Sequence, residues 1–389
     1  MPWVDLPFTR GLARADGVLS MDSSAFSDLR NWVVEVSRLT LRDGVQPTGF
    51  PAIGWGTDVV LVVPYTLRRD IFHVVYDRPT RELRLYRINP VGPTVQNVGT
   101  LGTLNASAPI KPPIIHAAES SGYIFFAHAE QMTYRLPTKV YTPDALDVNP
   151  GTLATLSQDL NDDGAAADVY FAGVYAWAEY MTGWGYGEET SAATKDQPAM
   201  LRVSLPGDPL NWPSGSFAQF GAFNERIVCV RAAGPDSVIV VGKEHEIHAL
   251  TGTSSSDFSP RLADPSHGVV ADHSMVEAEG RVFFWSESGP RAIEGASPTV
   301  DLEFPLALRD GLPTALPSAY DLRYMWAVFH EGMRVVEFGL PDAATGGTPT
   351  LSFMGCLRPT PLQWTFATRP LCLLAAATAA LDKAAPPAV

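Results

Sequence analysis

The sequence predicts an all-β chain folded as a β-propeller of about five to seven blades of short antiparallel strands with small loop insertions. Three observations carry this. Short runs with strand chemistry alternate with turn clusters along most of the length. These runs come back in groups of two or three, as sheets stacked around an axis require, and 33 prolines and 32 glycines supply the turns between them. Windows with apolar residues at helical spacing and free of Pro or Gly are scarce.

The elements follow in order. Residues 1–48 read as an N-terminal arm; SSAFSDLRNWVVEV at 23–36 has some helical spacing, but its Val-rich end reads as strand. Residues 49–340 read as the propeller. DVVLVVP (58–64), DIFHVVY (70–76) and ELRLYRI (82–88) form most of one sheet. PIIHAA, YIFFAHA and MTYRLP fall between 113 and 137, and IVCVRAA, SVIVVGK and EIHALTG between 227 and 252. SMVEAEG, RVFFWSE and RAIEGA run up to 296, and YMWAVF and RVVEFGL from 324 to 340. The polar stretches near 138–168 and 183–197 read as loop insertions suited to contacts between subunits. Residues 341–389 read as a closing strand followed by an Ala/Pro-rich tail. A two-domain β-sandwich is the alternative architecture.

Composition narrows the function classes. The 389 residues are 46% hydrophobic, enough for a large core. The formal charge is −14, from 28 basic and 42 acidic residues, so a basic surface that attracts nucleic acid is not expected. Cys229, Cys356 and Cys372 are too few and too scattered for a disulfide framework, which fits folding in a reducing cytoplasm. No basic segment leads into an apolar core at MPWVDLPFTR, so a secretory leader is not expected. LCLLAAATAALDK falls short of the ~20 residues of a membrane helix and reads as a surface or interface helix.

Catalytic signatures are missing: there is no Gly-x-Ser-x-Gly elbow, no Walker loop and no His-Glu-x-x-His. His245 and His248, three apart in a strand, point to opposite faces and do not share a metal. The glycines of TGWGYGEE precede no helix, so this reads as an aromatic loop whose Trp184 and Tyr186 pack on a neighbouring subunit. Asp159, Asn161, Asp163 and Gly164 reproduce the first half of a calcium loop. The second half departs from it, with Tyr170 and Ala167 where carboxylates belong, so an Asx-rich loop is the main reading and calcium the alternative. No other cofactor is expected.

Two segments carry a resemblance. AMLRVSLPGDPLNWPSG (199–215) ends a strand at Ser204 and turns through Gly207, Asp208, Pro209, Trp212 and Pro213. SVIVVGKEHEIHALTGT (237–253) runs through Lys243 and Glu244 to Ile247, Leu250, Thr251 and Gly252. Phe283, Phe284, Trp285, Ser286 and Gly289 continue the pattern, and Leu29, Asn31, Leu39, Arg42 and Gly44 open it. Together they resemble the β-propeller tail hub, tail nozzle and packaged-DNA-stabilisation proteins of short-tailed bacteriophages (podoviruses), over about residues 12 to 300. Each motif also reads as plain structure: the Asp208–Trp212 run as a turn capped by a ring, and Lys243 with Glu244 as a solvated pair at a turn.

The resemblance implies a virion structural protein and no enzyme. It implies a homo-hexameric ring below the portal, partnered by portal or adaptor and other tail proteins, assembled in the host cytoplasm. Genomic double-stranded DNA would pass through the channel with weak non-specific contact, and no membrane is involved. Because propellers also host glycan chemistry, a carbohydrate-binding or glycan-cleaving protein is the alternative.

Overall fold

The computed structural model describes residues 32–35, 38–41 and most of 58–369; residues outside these, including 1–31, 42–57, 305–320 and 370–389, are not described. Strands are the dominant element of the described residues, with one 3-10 turn at Leu322–Tyr324. A first hairpin joins β1 (Trp32–Glu35) to β2 (Arg38–Leu41). Blade 1 holds β3 (Asp58–Tyr65), β4 (Asp70–Asp77), β5 (Glu82–Asn89) and β6 (Thr94–Thr103). Blade 2 holds β7 (Ile115–Ser120), β8 (Tyr123–His128), β9 (Lys139–Thr142) and β10 (Thr152–Thr155).

Blade 3 is larger. Its β11 (Ser157–Gln158) and β12 (Ala167–Tyr170) lead into β13 (Gly173–Trp177), β14 (Tyr180–Glu188), β15 (Gln197–Val203) and β16 (Phe217–Gln219). Blade 4 holds β17 (Ile227–Ala232), β18 (Val238–Lys243), β19 (Ile247–Thr251) and β20 (Ser259–Asp264). Blade 5 holds β21 (Met275–Ala278), β22 (Arg281–Ser286), β23 (Gly289–Glu294) and β24 (Val300–Asp301). Blade 6 holds β25 (Trp326–His330), β26 (Val335–Leu340), β27 (Thr350–Cys356) and β28 (Gln363–Arg369).

Every blade is an antiparallel meander whose strands pair in chain order, except that β12 and β13 both pair with β14. The chain is a β-propeller, with six blades among the described residues. The first hairpin lies beside β27 and β28, so the N-terminal region meets the last blade. No helix among the described residues is long and apolar enough to cross a membrane.

Local chemistry sets the meanders. Two-residue hairpins at Ser121-Gly122 and Glu279-Gly280 have positive φ at both positions, the backbone twist that suits tight antiparallel strands. The second strand of blades 2, 4, 5 and 6 is buried on both faces, which explains unbroken apolar runs such as YIFFAH and RVFFWS. Ile124 and Phe126 of β8 pack toward blade 1, while Phe125 and Ala127 pack toward blade 3. In β22, Val282 and Phe284 join the core shared with blade 4, and Phe283 and Trp285 the core shared with blade 6. One strand therefore serves two interblade cores through its period of two.

The structure revises the boundaries expected from the sequence. The stretches near 138–168 and 183–197 supply β9 to β12 and most of β14, not simple loops. β9 to β12 are two to four residues long and β14 carries three glycines, which hides them from a propensity reading. Blade 6 also runs past residue 340, because β27 and β28 complete it. The expected helix near 371–383 lies outside the described residues.

Trp184 shows why the glycines of blade 3 are there. Its ring lies across Gly173 of the neighbouring strand, where an added Cβ would sit 2.1 Å from the indole. Gly185, at φ +62, absorbs the register shift between Trp184 and Tyr186. Gly173→Val is expected to lower unfolding free energy by about 1–3 kcal/mol by overpacking, as measured by urea titration of both proteins. An unchanged midpoint would show that the indole has room to move.

Candidate functional site

The innermost strand of every blade faces the axis. Leu61 and Pro64 of β3, His116 of β7, Tyr175 of β13, Arg231 of β17, Glu277 of β21 and Phe329 of β25 all line one cavity of about 570 Å3. These strands run in the same direction, as the parallel bridge between His273 and Trp326 illustrates. The cavity therefore has two chemically different ends.

The end where the inner strands begin carries a buried charge network. Asp272, 1% exposed, precedes β21 and accepts two hydrogen bonds from Arg226, at 3.2 and 3.1 Å. Arg226 precedes β17 and also donates from Nε to Glu244 at 3.1 Å. His116 Nε2 stands 3.5 Å from Asp272 Oδ1, beyond a good hydrogen bond but close enough for electrostatic contact. The His116 ring lies 4.8 Å from that of His273 and meets Trp184 edge-on at 5.1 Å. Arg226, Asp272, His116 and His273, from blade 2 and the lead-in segments of blades 4 and 5, thus converge near the axis.

Burial by itself would raise the Asp272 carboxyl, but Arg226 and then His116 outweigh it and hold it well below the usual carboxylate range. Burial, followed by repulsion from His116, pushes the His273 imidazole down to about 3. Burial lowers His116 too, against the opposing pull of Asp272. Both rings are therefore neutral at pH 7, and the Nε2 atom of each lacks a hydrogen-bond partner among the described residues.

Farther along the inner strands the lining becomes wetter. Arg231 lies near the end of β17, still within electrostatic reach of His116 and His273, with Glu277 near the end of β21 and Glu331 just after β25. Both carboxylates are exposed, so the cavity opens to solvent on that side.

Several proteins of known structure share features of this architecture. No protein-family model matches the chain, and no curated protein matches it. Among solved structures, prolyl oligopeptidase B from Galerina marginata is 9% identical, with a TM-score of 0.46 over 81% of this chain and 43% of that one. A prolyl endopeptidase is 8% identical, with a TM-score of 0.47 over 85% of this chain and 45% of that one. A chain of a nidogen/laminin complex is 9% identical, with a TM-score of 0.35 over 63% of this chain and 79% of that one. The chain spans less than half the length of the two peptidases. At these identities and scores the likenesses carry no argument about activity or partners.

The residues singled out from sequence fall at other places. The Gly207–Pro213 run is a turn: Asp208 bridges to Leu205 and its Oδ1 accepts from Leu210 N, while Trp212 Nε1 donates to the Pro209 carbonyl at 2.9 Å. Trp212 is buried against Phe171, and Pro213 accepts from Ser216 N. Thr251 donates to the Ser259 carbonyl and Gly252 turns the chain at φ +122.

Lys243 corrects the solvated-pair expectation. It is fully buried, donating to the Phe220 carbonyl at 3.2 Å and to Glu246 at 2.6 Å, with Glu225 at 3.2 Å. Glu244 is exposed and pairs with Arg226 instead. Trp184 and Tyr186, expected as subunit contacts, are 0% and 1% exposed, so they are core residues of blade 3. Their strand alternation is masked in sequence by the intervening glycines.

Asp159 accepts a hydrogen bond from Gly164 N, as an Asx loop does, while Asn161 and Asp163 lie outside the described residues. Among the described residues no group of three His, Cys, Asp or Glu is placed to hold a metal. Ser266, His267 and Asp264 cluster, but the hydroxyl and the carboxylate both face His267 Nδ1, at 3.1 and 3.0 Å. A nucleophile–base–acid relay needs the two ring nitrogens to serve different partners, so this cluster is a turn lock.

Arg226, Asp272, His116, His273 and Arg231 were not singled out by sequence. The signal available was positional: each sits in, or just before, the first strand of its blade. Because the folded chain refuses protons that an unfolded chain accepts at His273, stability is complete above about pH 6.5 and is lost as pH falls toward 3. His116 adds in the same direction, and Asp272 adds below about pH 4. Urea midpoints at pH 7, 5.5 and 4.5 are expected to fall in that order, and His273→Asn to flatten the decline. A flat wild-type profile over this window would contradict the buried-imidazole reading.

Proposed function

We propose that the chain is a structural subunit of a short-tailed phage tail, one of six copies in a hub or nozzle ring that continues the DNA channel below the portal. The observation that supports the reading is the role of the two resembling segments. Each ties one blade to the next: the turn through Asp208 sets Trp212 into the core shared by blades 2 and 3, and Lys243 reaches back from β18 of blade 4 to the Phe220 carbonyl just after β16 of blade 3. They are framework, as a mechanical subunit requires, and their turns fit the propeller that the resemblance implies.

The mechanism is steric and electrostatic. A 570 Å3 cavity lined by side chains from all six blades holds a small molecule, not a duplex, so the DNA path lies between copies of the chain. The excess of acidic residues gives a wall that repels phosphate at short range, screened beyond about 8 to 10 Å. DNA slides along such a wall without sticking. Portal, adaptor and neighbouring tail proteins dock on the loops and on the first hairpin, in the virion tail.

Mass photometry of the purified chain, alone and with neighbouring virion proteins, followed by electron microscopy of large species, tests the reading. The expected species is a six-fold ring with an opening wide enough for duplex DNA. A chain that stays monomeric under all these conditions and binds a neutral oligosaccharide would favour the glycan-binding alternative instead.

A further inference from the structure

The open end of the axial cavity contains charged groups with no salt-bridge partner among the described residues. Arg231 is aimed: its guanidinium carbon lies 5.4 Å from the centroid of the Tyr175 ring, and Nη1 donates to the Val230 carbonyl at 2.7 Å. Tyr175 is held in turn, its hydroxyl accepting from Ala232 N at 3.1 Å. Among the described residues no carboxylate pairs with Arg231, although acidic residues outnumber basic ones 42 to 28. Its contrast is Arg226, which grips Asp272 and Glu244 at the other end. The remaining Arg231 donors form a planar fork that matches a carboxylate.

Glu277 and Glu331 line the same cavity and are exposed. Glu277 accepts only a backbone hydrogen bond, from Gly280, among its described contacts. Two carboxylates lining the same cavity as one cation disfavour a simple anion and complement a ligand that carries an ammonium as well. Leu61 and Phe329 add an apolar wall from blades 1 and 6. The volume, about 570 Å3, falls in the range of small-molecule sites and exceeds what a single amino acid fills.

We propose that the axial cavity binds a zwitterionic apolar amino acid or dipeptide, with its carboxylate on Arg231, its ammonium toward Glu277 and Glu331, and its side chain against Leu61 and Phe329. The site is independent of the tail reading, since it lies within one copy of the chain. A bound ligand would bridge inner strands of blades 1, 4, 5 and 6 and tighten the ring at its open end.

Isothermal titration of the full chain with L-phenylalanine and L-alanyl-L-phenylalanine tests this, with phenylalaninamide and N-acetyl-L-phenylalanine as probes lacking one charge each. At least one zwitterion is expected to bind at about millimolar affinity or tighter, and removal of either charge to weaken binding at least about tenfold. Arg231→Gln is expected to weaken L-phenylalanine by a similar factor and to leave phenylalaninamide unchanged. Should Arg231→Gln not fold by thermal melting, Glu277→Gln serves, with weaker L-phenylalanine and unchanged N-acetyl-L-phenylalanine. Absence of binding by both zwitterions, equal binding of charged and blocked probes, or wild-type affinity in the folded variant would overturn the proposal.

Discussion

The carboxylate of Asp272, sealed from water near the axis, is stable there only because Arg226 supplies two hydrogen-bonded nitrogens and His116 a third polar neighbour. Burying an unpaired charge costs several kcal/mol, so the position of this carboxylate constrains every element that touches it. Arg226 leads into blade 4, Asp272 leads into blade 5 and His116 lies in blade 2. If one of the three shifts, the others lose their partner. Tyr324 makes a related tie, donating from its hydroxyl to the Pro112 carbonyl at 2.9 Å across 212 positions of chain. A propeller has few contacts that cross between non-neighbouring blades, and here they are polar, directional and gathered at one end of the axis.

Away from the axis the constraint is packing. The second strands of blades 2, 4 and 5 serve two cores at once, so their residues answer to both neighbours, and space for the largest rings comes from glycines on adjacent strands. Trp184 over Gly173 and Trp326 over Gly339 are two instances of the same solution, in blades 3 and 6. The Trp184 ring also meets His116, which links this packing to the charge network. Blade cores and axial polar groups are therefore one mechanical unit.

Much of this was legible in the sequence. The runs DIFHVVY, YIFFAHA, SVIVVGK and RVFFWSE announce strands because apolar β-formers between turn residues have few other uses. Blade 3 was less legible: TGWGYGE looks like a loop until Gly173 is seen to make room for the Trp184 ring and Gly183 for the Phe171 ring in paired strands. Lys243 reads as solvated because nothing nearby in sequence reveals the Phe220 carbonyl or Glu225 that meet it. The axial site was the least legible part, since Arg231 sits inside an apolar run and gains meaning only when six strands from across the chain converge.

The two ends of the cavity follow from this convergence. At the closed end the charges cancel one another and hold blades together; at the open end Arg231 has no such partner. A rigid subunit in a tail ring benefits from the first, and the second gives the same framework a place to receive a ligand.

The most direct test of the axial constraint is a double-mutant cycle on Arg226→Met and Asp272→Asn, read by urea unfolding at pH 7. If the pair fixes the blades as described, the two effects couple by about 2–3 kcal/mol, the double variant being far less destabilised than the sum of the singles. Additivity within about 0.5 kcal/mol would mean that the blades hold their places without this contact.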